Sequence, residues 1–404
     1  MKVLVLGKGV ANDGVVLLLE EEKIEYDYLN VTEVTSLNYK YVIKAPGIPM
    51  YNELVMGFIK SGIEVITDIE LAMRLRKKFY IGVTGSNGKT TTVSLISHIL
   101  SSKYRVICCG NIGYSVCKAL VENKDVDIFI VEMSSFQLEC AKIDLDISVL
   151  LNVNPCHMDH HQNFKNYIKA KSNICTNQNK DNTFIYCLDD YNCKYISRLC
   201  NSNKVSFSIN NLLSKCYAYD NKIYYKDKYV MKINNIKEYL LYDIMASILV
   251  CMEFDDINLK LIEKRINTFE EVKYRFTKIN EYIYNDAKST NPYSTIASLK
   301  ELDNVYLICG GYDRFENLNC LYDYLEKIDV VFAYGETRFK VFEFFNRYNK
   351  KCFIFNDLKE AFIEAISLRK QQVILYSPMF ASFDQFNNYE ERGELFNELC
   401  KEYL

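Results

Sequence analysis

The chain has 404 residues, 49 Lys and Arg against 52 Asp and Glu, a formal net charge of -3, and a composition that is 49% hydrophobic and 25% charged. That length exceeds a single core and points to three domains, and the near balance of charge gives no electrostatic basis for a nucleic-acid or membrane-surface partner. Fifteen cysteines, odd in number and without a C-x-x-C pair, read as reduced core thiols. The opening apolar run through Leu6 is cut short by Gly7-Lys8-Gly9, too brief for a signal segment, and no later run approaches the roughly 18 residues of a membrane span. A cytoplasmic chain is expected.

Residues 3–6 read as a short buried strand, followed by Gly7-x-Gly9-x-x-x-x-Gly14 and a helical pattern through Glu22. This opens a Rossmann-like unit. Its glycine spacing is not G-x-G-x-x-G, and no acid stands at the end of the second strand, 25–29, to hold a ribose, which argues against a dinucleotide. Strands at 41–44 and 63–66, with Ala45-Pro46-Gly47-Ile48 between them, complete a small α/β domain over 1–78.

An apolar run, 79–83, then feeds Thr84-Gly85-Ser86-Asn87-Gly88-Lys89-Thr90-Thr91 and an apolar-periodic segment, 93–100. Strand, glycine-rich turn and helix N-terminus together make a polyphosphate cradle: backbone N–H groups face the phosphates, Lys89 adds a point charge and the Thr90 hydroxyl suits Mg²⁺. The expected ligand is ATP, held by Gly85, Ser86, Asn87, Gly88, Lys89, Thr90 and Thr91. The generic phosphate-loop pattern fails by one position, because the glycine it requires five residues before Gly88 is Val83 here, and the glycine stands at Gly82.

Further strands are expected at 105–108, ending in Gly110-Asn111-Ile112-Gly113, and at 127–131, ending in Glu132. A carboxylate at the end of a strand beside the phosphate-loop strand is where a nucleotide's Mg²⁺ is held. Taken alone, Glu132 serves equally well as a cap for the following helix. The next strand, 147–153, runs into Asn154-Pro155-Cys156-His157-Met158-Asp159-His160-His161, which holds three of the four histidines. Zinc is rejected there, because no cysteine or histidine recurs at zinc spacing. Residues 183–234 alternate strands with polar turns, including a tyrosine-rich hairpin over 216–230, and carry no legible chemistry. Strands at 282–284, 305–309, 330–334, 352–355 and 373–376 alternate with helices and form a second Rossmann-like fold.

The loop T-G-S-N-G-K-T-T resembles that of the Mur ligase family, the ATP-dependent amide ligases of cell-wall synthesis and their folate-ligase relatives. Several other stretches match in order. Ala45-Pro46-Gly47-Ile48 and Thr67-Asp68-Ile69-Glu70 look like turns of the family's uridine-diphosphate domain, and Ser134-Ser135-Phe136-Gln137-Leu138-Glu139 resembles the D-glutamate-adding branch. Ser377-Pro378-Met379-Phe380-Ala381-Ser382-Phe383-Asp384-Gln385-Phe386, extended by Tyr389-Glu390-Glu391-Arg392-Gly393, is similar to the same branch.

The resemblance implies an α/β chain of three domains: a Rossmann-like substrate domain (1–78), a central P-loop-type ATPase domain with a mostly parallel sheet (79–270), and a Rossmann-like domain for the incoming amino acid (271–404). It implies catalytic roles for Lys89, Glu132, His157, Lys171 and Lys288. Two Mg²⁺ sites would draw on Thr90, Glu132, His157 and a carbamylated Lys171, while Arg275 and Asp286 meet the nucleotide. Asn111, Ser134, Thr290, Arg314, Ser382 and Tyr389 would contact substrates, which are UDP-N-acetylmuramoyl-L-alanine and D-glutamate. The chain would act as a monomer, phosphorylating the alanyl carboxylate before the amine attacks.

There are departures. Cys156 replaces the family's usual acid, and Tyr239-Leu240-Leu241-Tyr242-Asp243 stands where H-N-x-x-N normally meets adenine, leaving Tyr239 or Tyr242 to stack on the base. A Mur-like chain of altered specificity or lost catalysis, and a folylpolyglutamate-type ligase, are the alternatives.

Overall fold

The computed structural model describes residues 2–233, 236–270 and 272–404. Met1, Asn234 (the last residue of the strand-rich segment) and position 271 (the expected start of the third domain) lie outside the described residues. Among the described residues the strands form three sheets.

The first contains β1 (Val3–Leu6), β2 (Tyr26–Leu29), β3 (Val42–Lys44) and β4 (Val65–Ile66) in the order β2-β1-β3-β4, all parallel. Every residue of β1 is buried, as a central parallel strand with both faces covered requires. Leu4, Leu6 and Val42 pack with Val55 and Phe58 of the Glu53–Lys60 helix. Asn52 caps that helix by accepting from the amides of Leu54 and Val55, which replaces partners the first turn lacks.

The second sheet contains β5 (Phe79–Thr84), β6 (Val106–Gly110), β7 (Ile128–Glu132), β8 (Ile147–Leu150), β9 (Thr183–Cys187), β10 (Asn203–Ser208), β11 (Cys216–Tyr219), β12 (Lys222–Tyr225) and β13 (Lys228–Lys232). Its order is β13-β12-β11-β10-β9-β8-β5-β7-β6, parallel except that β12 pairs antiparallel with both β11 and β13, where the tyrosine-rich hairpin is expected. The phosphate-loop strand β5 is thus flanked by β7 and β8. The Lys89–Leu100 helix that follows it packs against the Glu238–Cys251 helix. The latter is buried on nearly every side, consistent with its lack of a polar face.

The third sheet contains β14 (Thr277–Lys278), β15 (Ile283–Asn285), β16 (Val305–Gly310), β17 (Ile328–Tyr334), β18 (Lys351–Ile354) and β19 (Val373–Met379), in the order β14-β15-β19-β16-β17-β18. Only β14, at one edge, is antiparallel. Ile308, Phe332, Tyr376 and Phe396 lie in its core.

By their contacts the residues fall into two compact units, Met1–Val153 with Asn163–Glu270, and Asn154–Gln162 with Glu271–Leu404. The first unit holds the first two sheets; the second holds the third sheet together with the His157 segment. The mixed α/β fold with parallel sheets is the one expected. The cysteines depart from expectation in one place: Cys175 and Cys200 are joined in a disulfide with Cα atoms 5.6 Å apart, while the other thirteen are free. Among the described residues no helix is long and apolar enough to cross a membrane.

Candidate active site

In the first unit the chemistry gathers at the carboxyl ends of β5 and β7. The turn after β5 closes on Gly88, which has φ +89° and caps the Lys89–Leu100 helix; an L side chain is strained there. Gly82, by contrast, lies inside β5, where a Cβ would come 2.5 Å from Leu145 and 3.1 Å from Met133. Its smallness serves strand packing and not the phosphate turn, so Gly82 does not stand in for the first glycine of the generic loop pattern.

The turn is held by Asn152, which lies just past the end of β8. Its backbone carbonyl accepts from the Ser86 amide at 2.9 Å, its Oδ1 accepts from the Asn87 amide at 2.9 Å, and its Nδ2 donates to the Asn87 carbonyl at 3.1 Å. The Ser86 hydroxyl lies 2.8 Å from that of Tyr167. Lys89 folds back on the loop, its Nζ donating to the carbonyls of Gly85 (2.8 Å) and Ser86 (3.1 Å). Thr90 and Thr91 follow in the first helical turn, and the buried Thr91 hydroxyl has no hydrogen-bond partner among the described residues.

Glu132 ends β7 and is 3% exposed. Its Oε1 accepts from Asn111 Nδ2 at 2.9 Å, and its buried Oε2 has no hydrogen-bond partner among the described residues. The alternative role as helix cap is not what the structure shows: Ser134 caps the Ser135–Leu138 helix, accepting from the Gln137 amide. A buried, unsatisfied carboxylate oxygen beside a phosphate loop suits a hard divalent cation, which takes oxygen ligands. Asn111, expected at substrate, holds Glu132 in place.

Lys171 lies in the Phe164–Ser172 helix and is 1% exposed. Its Nζ donates to the Gly85 carbonyl at 3.0 Å and to Thr84 Oγ1 at 3.2 Å, and lies 4.9 Å from the centre of the Tyr167 ring. The lysine singled out from sequence therefore touches the phosphate loop. Asp243 does too, although the sequence reading noted there only a missing asparagine. It is 2% exposed and accepts from Thr92 Oγ1. Tyr242 packs edge-on against Phe207, ring centres 6.4 Å apart, and burial raises its hydroxyl pKa well above the usual range.

The carboxyl ends of β1, β2 and β3 open into a cleft of about 530 Å³ lined by 7–12, 30–32 and 45–48, the position at which open α/β sheets receive ligands. Buried Lys44 braces its 45–48 wall, donating to the Ile48 carbonyl at 2.6 Å and lying 3.6 Å from Glu139. Asp68 of the second quoted turn is fully buried, and desolvation lifts its carboxyl to about 6 against the hydrogen bond from Gln137.

In the second unit, the loops after β15, β16 and β19 carry the other expected residues. Lys288 Nζ lies 5.0 Å from the centre of the Tyr389 ring. Arg314 lies over the Phe383 ring, and its Nη1 is 3.2 Å from His157 Nδ1; since a guanidinium only donates, that nitrogen accepts. Ser382 is buried and Thr290 half-buried. Asp286 is 2% exposed and enclosed by protein donors: the Phe276 amide and the hydroxyls of Ser289, Ser298 and Ser377. Desolvation raises its carboxyl pKa, opposed by those hydroxyls and by Arg275. In this conformation it secures the 274–276 turn, where Tyr274 and Phe276 have positive φ.

Residues 83–251 match the Mur ligase middle domain. UDP-N-acetylmuramoylalanine–D-glutamate ligases of Oceanobacillus iheyensis and Caldicellulosiruptor saccharolyticus are each 34% identical, over 371 residues (88% of this chain, 82% of the relative) and 385 residues (89% and 84%). The MurF ligase of Thermotoga maritima, solved in complex with ADP, shares the fold with a TM-score of 0.64 at 17% identity, covering 100% of this chain and 95% of that one. Sheets, phosphate loop and matched middle domain define a Mur ligase, a class of ATP-dependent enzymes. Within that class, identity of this extent across most of both chains means that the chain belongs to the UDP-N-acetylmuramoylalanine–D-glutamate ligase family.

Proposed function

We propose that this chain joins D-glutamate to the alanyl carboxylate of UDP-N-acetylmuramoyl-L-alanine at the expense of ATP. The observation that carries the reading is the meeting, at the end of β5, of Lys89, the unsatisfied Glu132 Oε2 and Lys171 around one phosphate loop. Domains over 1–78, 79–270 and 271–404, one for each sheet, would take the uridine substrate, ATP and the amino acid. The chain acts as a cytoplasmic monomer.

The carboxylate of the first substrate is unreactive toward an amine until phosphorylated; the acyl phosphate then offers phosphate as leaving group when the D-glutamate nitrogen attacks. Negative charge builds on phosphoryl and carbonyl oxygens, and the chain's cations are its means of stabilising it. Lys89 exchanges its carbonyl partners on the loop for phosphate oxygens. Asn111 keeps Glu132 turned with Oε2 open, and Asn152 keeps the amides of Ser86 and Asn87 on the loop in register. Mg²⁺, when bound at two sites by Thr90, Glu132, His157 and a carbamylated Lys171, supplies further charge neutralisation. Arg275 meets the nucleotide from a turn that Asp286 secures. Arg314, Lys288, Thr290, Ser382 and Tyr389 receive D-glutamate, with the guanidinium suited to grip a carboxylate through two bonds.

Phosphate release with UDP-N-acetylmuramoyl-L-alanine and, in turn, D-glutamate, L-glutamate and meso-diaminopimelate tests this. D-Glutamate alone should support turnover. Activity with another of the three would mean altered specificity, and none with any would mean lost catalysis.

A further inference from the structure

Arg392 is fully buried and heads the largest such side chains in the protein. It lies in the first turns of the Tyr389–Tyr403 helix, beneath the loops that follow β15, β16 and β19. Its Nη2 donates to the Ala287 carbonyl at 2.9 Å and its Nη1 to the Phe380 carbonyl at 3.1 Å, while Nε has no hydrogen-bond partner among the described residues. Among the described residues no carboxylate lies within 4 Å of it. Asp384 is close enough for the guanidinium to oppose the rise in its carboxyl pKa that burial causes, yet Asp384 spends its Oδ2 on the Glu336 amide. The paired hydroxyls of Tyr334 and Tyr376, 3.0 Å apart, complete the charged and polar surroundings.

A buried cation without a carboxylate is costly, and replacing such a group with an apolar side chain of similar size is often neutral or stabilising. Core packing alone therefore does not account for an arginine here. Its bonds do. Ala287 immediately precedes Lys288, and Phe380 stands two residues before Ser382. The carbonyl of Ala381, between them, accepts from the Tyr312 amide at 2.8 Å, and a Cβ on Gly311 would lie 3.2 Å from Arg392 Nη1. One guanidinium thus abuts all three loops that carry Lys288, Arg314 and Ser382.

The geometry points to Arg392 as a positioning residue for the amino-acid substrate: it bonds two of the three loops to one another, abuts the third, and sets a buried positive charge under the place where a dicarboxylate arrives. This rests on the assignment of D-glutamate to these loops. The unbalanced charge finds its complement in the substrate carboxylates, and in a poorly screened interior that attraction acts without direct contact. Lys288, Arg314 and Ser382 touch the amino acid; Arg392 acts through them.

The test is the Arg392→Met variant of the full-length enzyme, with Arg392→Lys beside it. The methionine variant should melt cooperatively at a temperature close to the parent's. Its KM for D-glutamate should rise about tenfold or more, the scale of a lost attraction between charges a few ångströms apart in a partly screened interior, with KM for ATP within twofold. The lysine variant keeps the charge and at most one carbonyl bond, so its KM for D-glutamate should fall between. A structural role would lower the melting temperature and move both KM values together, and that result overturns the proposal, as does an unchanged KM for D-glutamate in Arg392→Met. If the methionine variant does not fold, the lysine variant decides by the same KM comparison; if neither folds, the guanidinium is structural and the proposal fails. Absence of turnover in the unsubstituted enzyme with D-glutamate would remove the amino-acid assignment itself, whereas an active parent with unmoved variants removes only the role of Arg392.

Discussion

Asp243 Oδ1 accepts a hydrogen bond from Thr92 Oγ1 at 3.1 Å, and the same oxygen stands 2.3 Å from where a Cβ on Gly88 would be. The phosphate turn and the Glu238–Cys251 helix are therefore fitted to one another through a glycine and a buried acid. Gly88→Ala meets two penalties, a left-handed backbone for an L residue and a collision with the buried carboxylate of Asp243, which must shift to admit the methyl. A loss of roughly 2–4 kcal/mol is expected, together with loss of ATP-dependent phosphate release. Adding Asp243→Ala removes the collision and should return part of the stability but not the backbone strain. Denaturant titration of both single variants and the double gives the coupling; strictly additive losses would show that the two residues do not meet.

Much of the fold was legible because most strands announced themselves as short apolar runs between turn residues, whereas β14, a polar Thr277–Lys278 pair at a sheet edge, gave no such signal; most of the candidate site residues follow strand ends. What the sequence hid depends on contacts between distant residues. Asn152 lies 65 positions from the loop it holds and belongs to no motif. Asp243 could be read only as a missing asparagine, since nothing local says that its helix packs on the phosphate loop. Gly82 looked like a misplaced loop glycine until Leu145 was seen to need its space. Arg392 sat within a recognised motif, but its burial against three loops follows from parallel strands whose carboxyl ends share one edge. Cys175 and Cys200, 25 residues apart, carry no spacing signal for a bond.

Glu316 gives a pH dependence with a definite sign. It is 5% exposed and its Oε1 has no partner among the described residues. Desolvation lifts its carboxyl from 4.5 to about 8, although Lys340 and Arg314 pull the other way; Asp159 and Asp313 add to the rise. Between pH 4.5 and 8 the native chain keeps a proton that the unfolded chain has released, so stability falls as pH rises through that window. The slope from this group is about 1.4 kcal/mol per pH unit. Glu316→Gln retains a neutral side chain at every pH and should flatten this part of the profile, leaving the variant more stable than the parent near the upper end. Unfolding free energies at the two ends of the window decide the matter: equal slopes in parent and variant would sink it.

Arg314 separates the two substrates. It lies over Phe383 with Nη1 directed at His157, in the unit that we assign to the amino acid. Arg314→Lys keeps the charge but loses the planar fork that holds a carboxylate by two bonds. KM for D-glutamate should rise about tenfold with KM for ATP nearly unchanged. Steady-state kinetics with each substrate varied in turn would expose an equal effect on both, which would refute the placement.

Lys171 poses the sharpest chemical question, because its Nζ donates to the Gly85 carbonyl while buried against the phosphate loop. As an ammonium it can approach phosphate but cannot ligate Mg²⁺. If its neutral amine reacts with CO₂, it becomes a carbamate, an oxygen-bearing anion on a long stem suited to a hard cation near Glu132. The competing view keeps it protonated as a direct phosphate ligand. Lys171→Ala should be nearly inactive under either view, so rescue must discriminate. A carbamate is replaced by a small carboxylate filling the vacated space, and formate or acetate should restore part of the phosphate release while methylammonium restores none. Rescue by the amine alone would establish the ammonium. Dependence on CO₂ adds a second reading in the unsubstituted enzyme: activity should fall when bicarbonate is stripped from the buffer and recover when it is returned, and an enzyme indifferent to bicarbonate across that cycle would count against the carbamate.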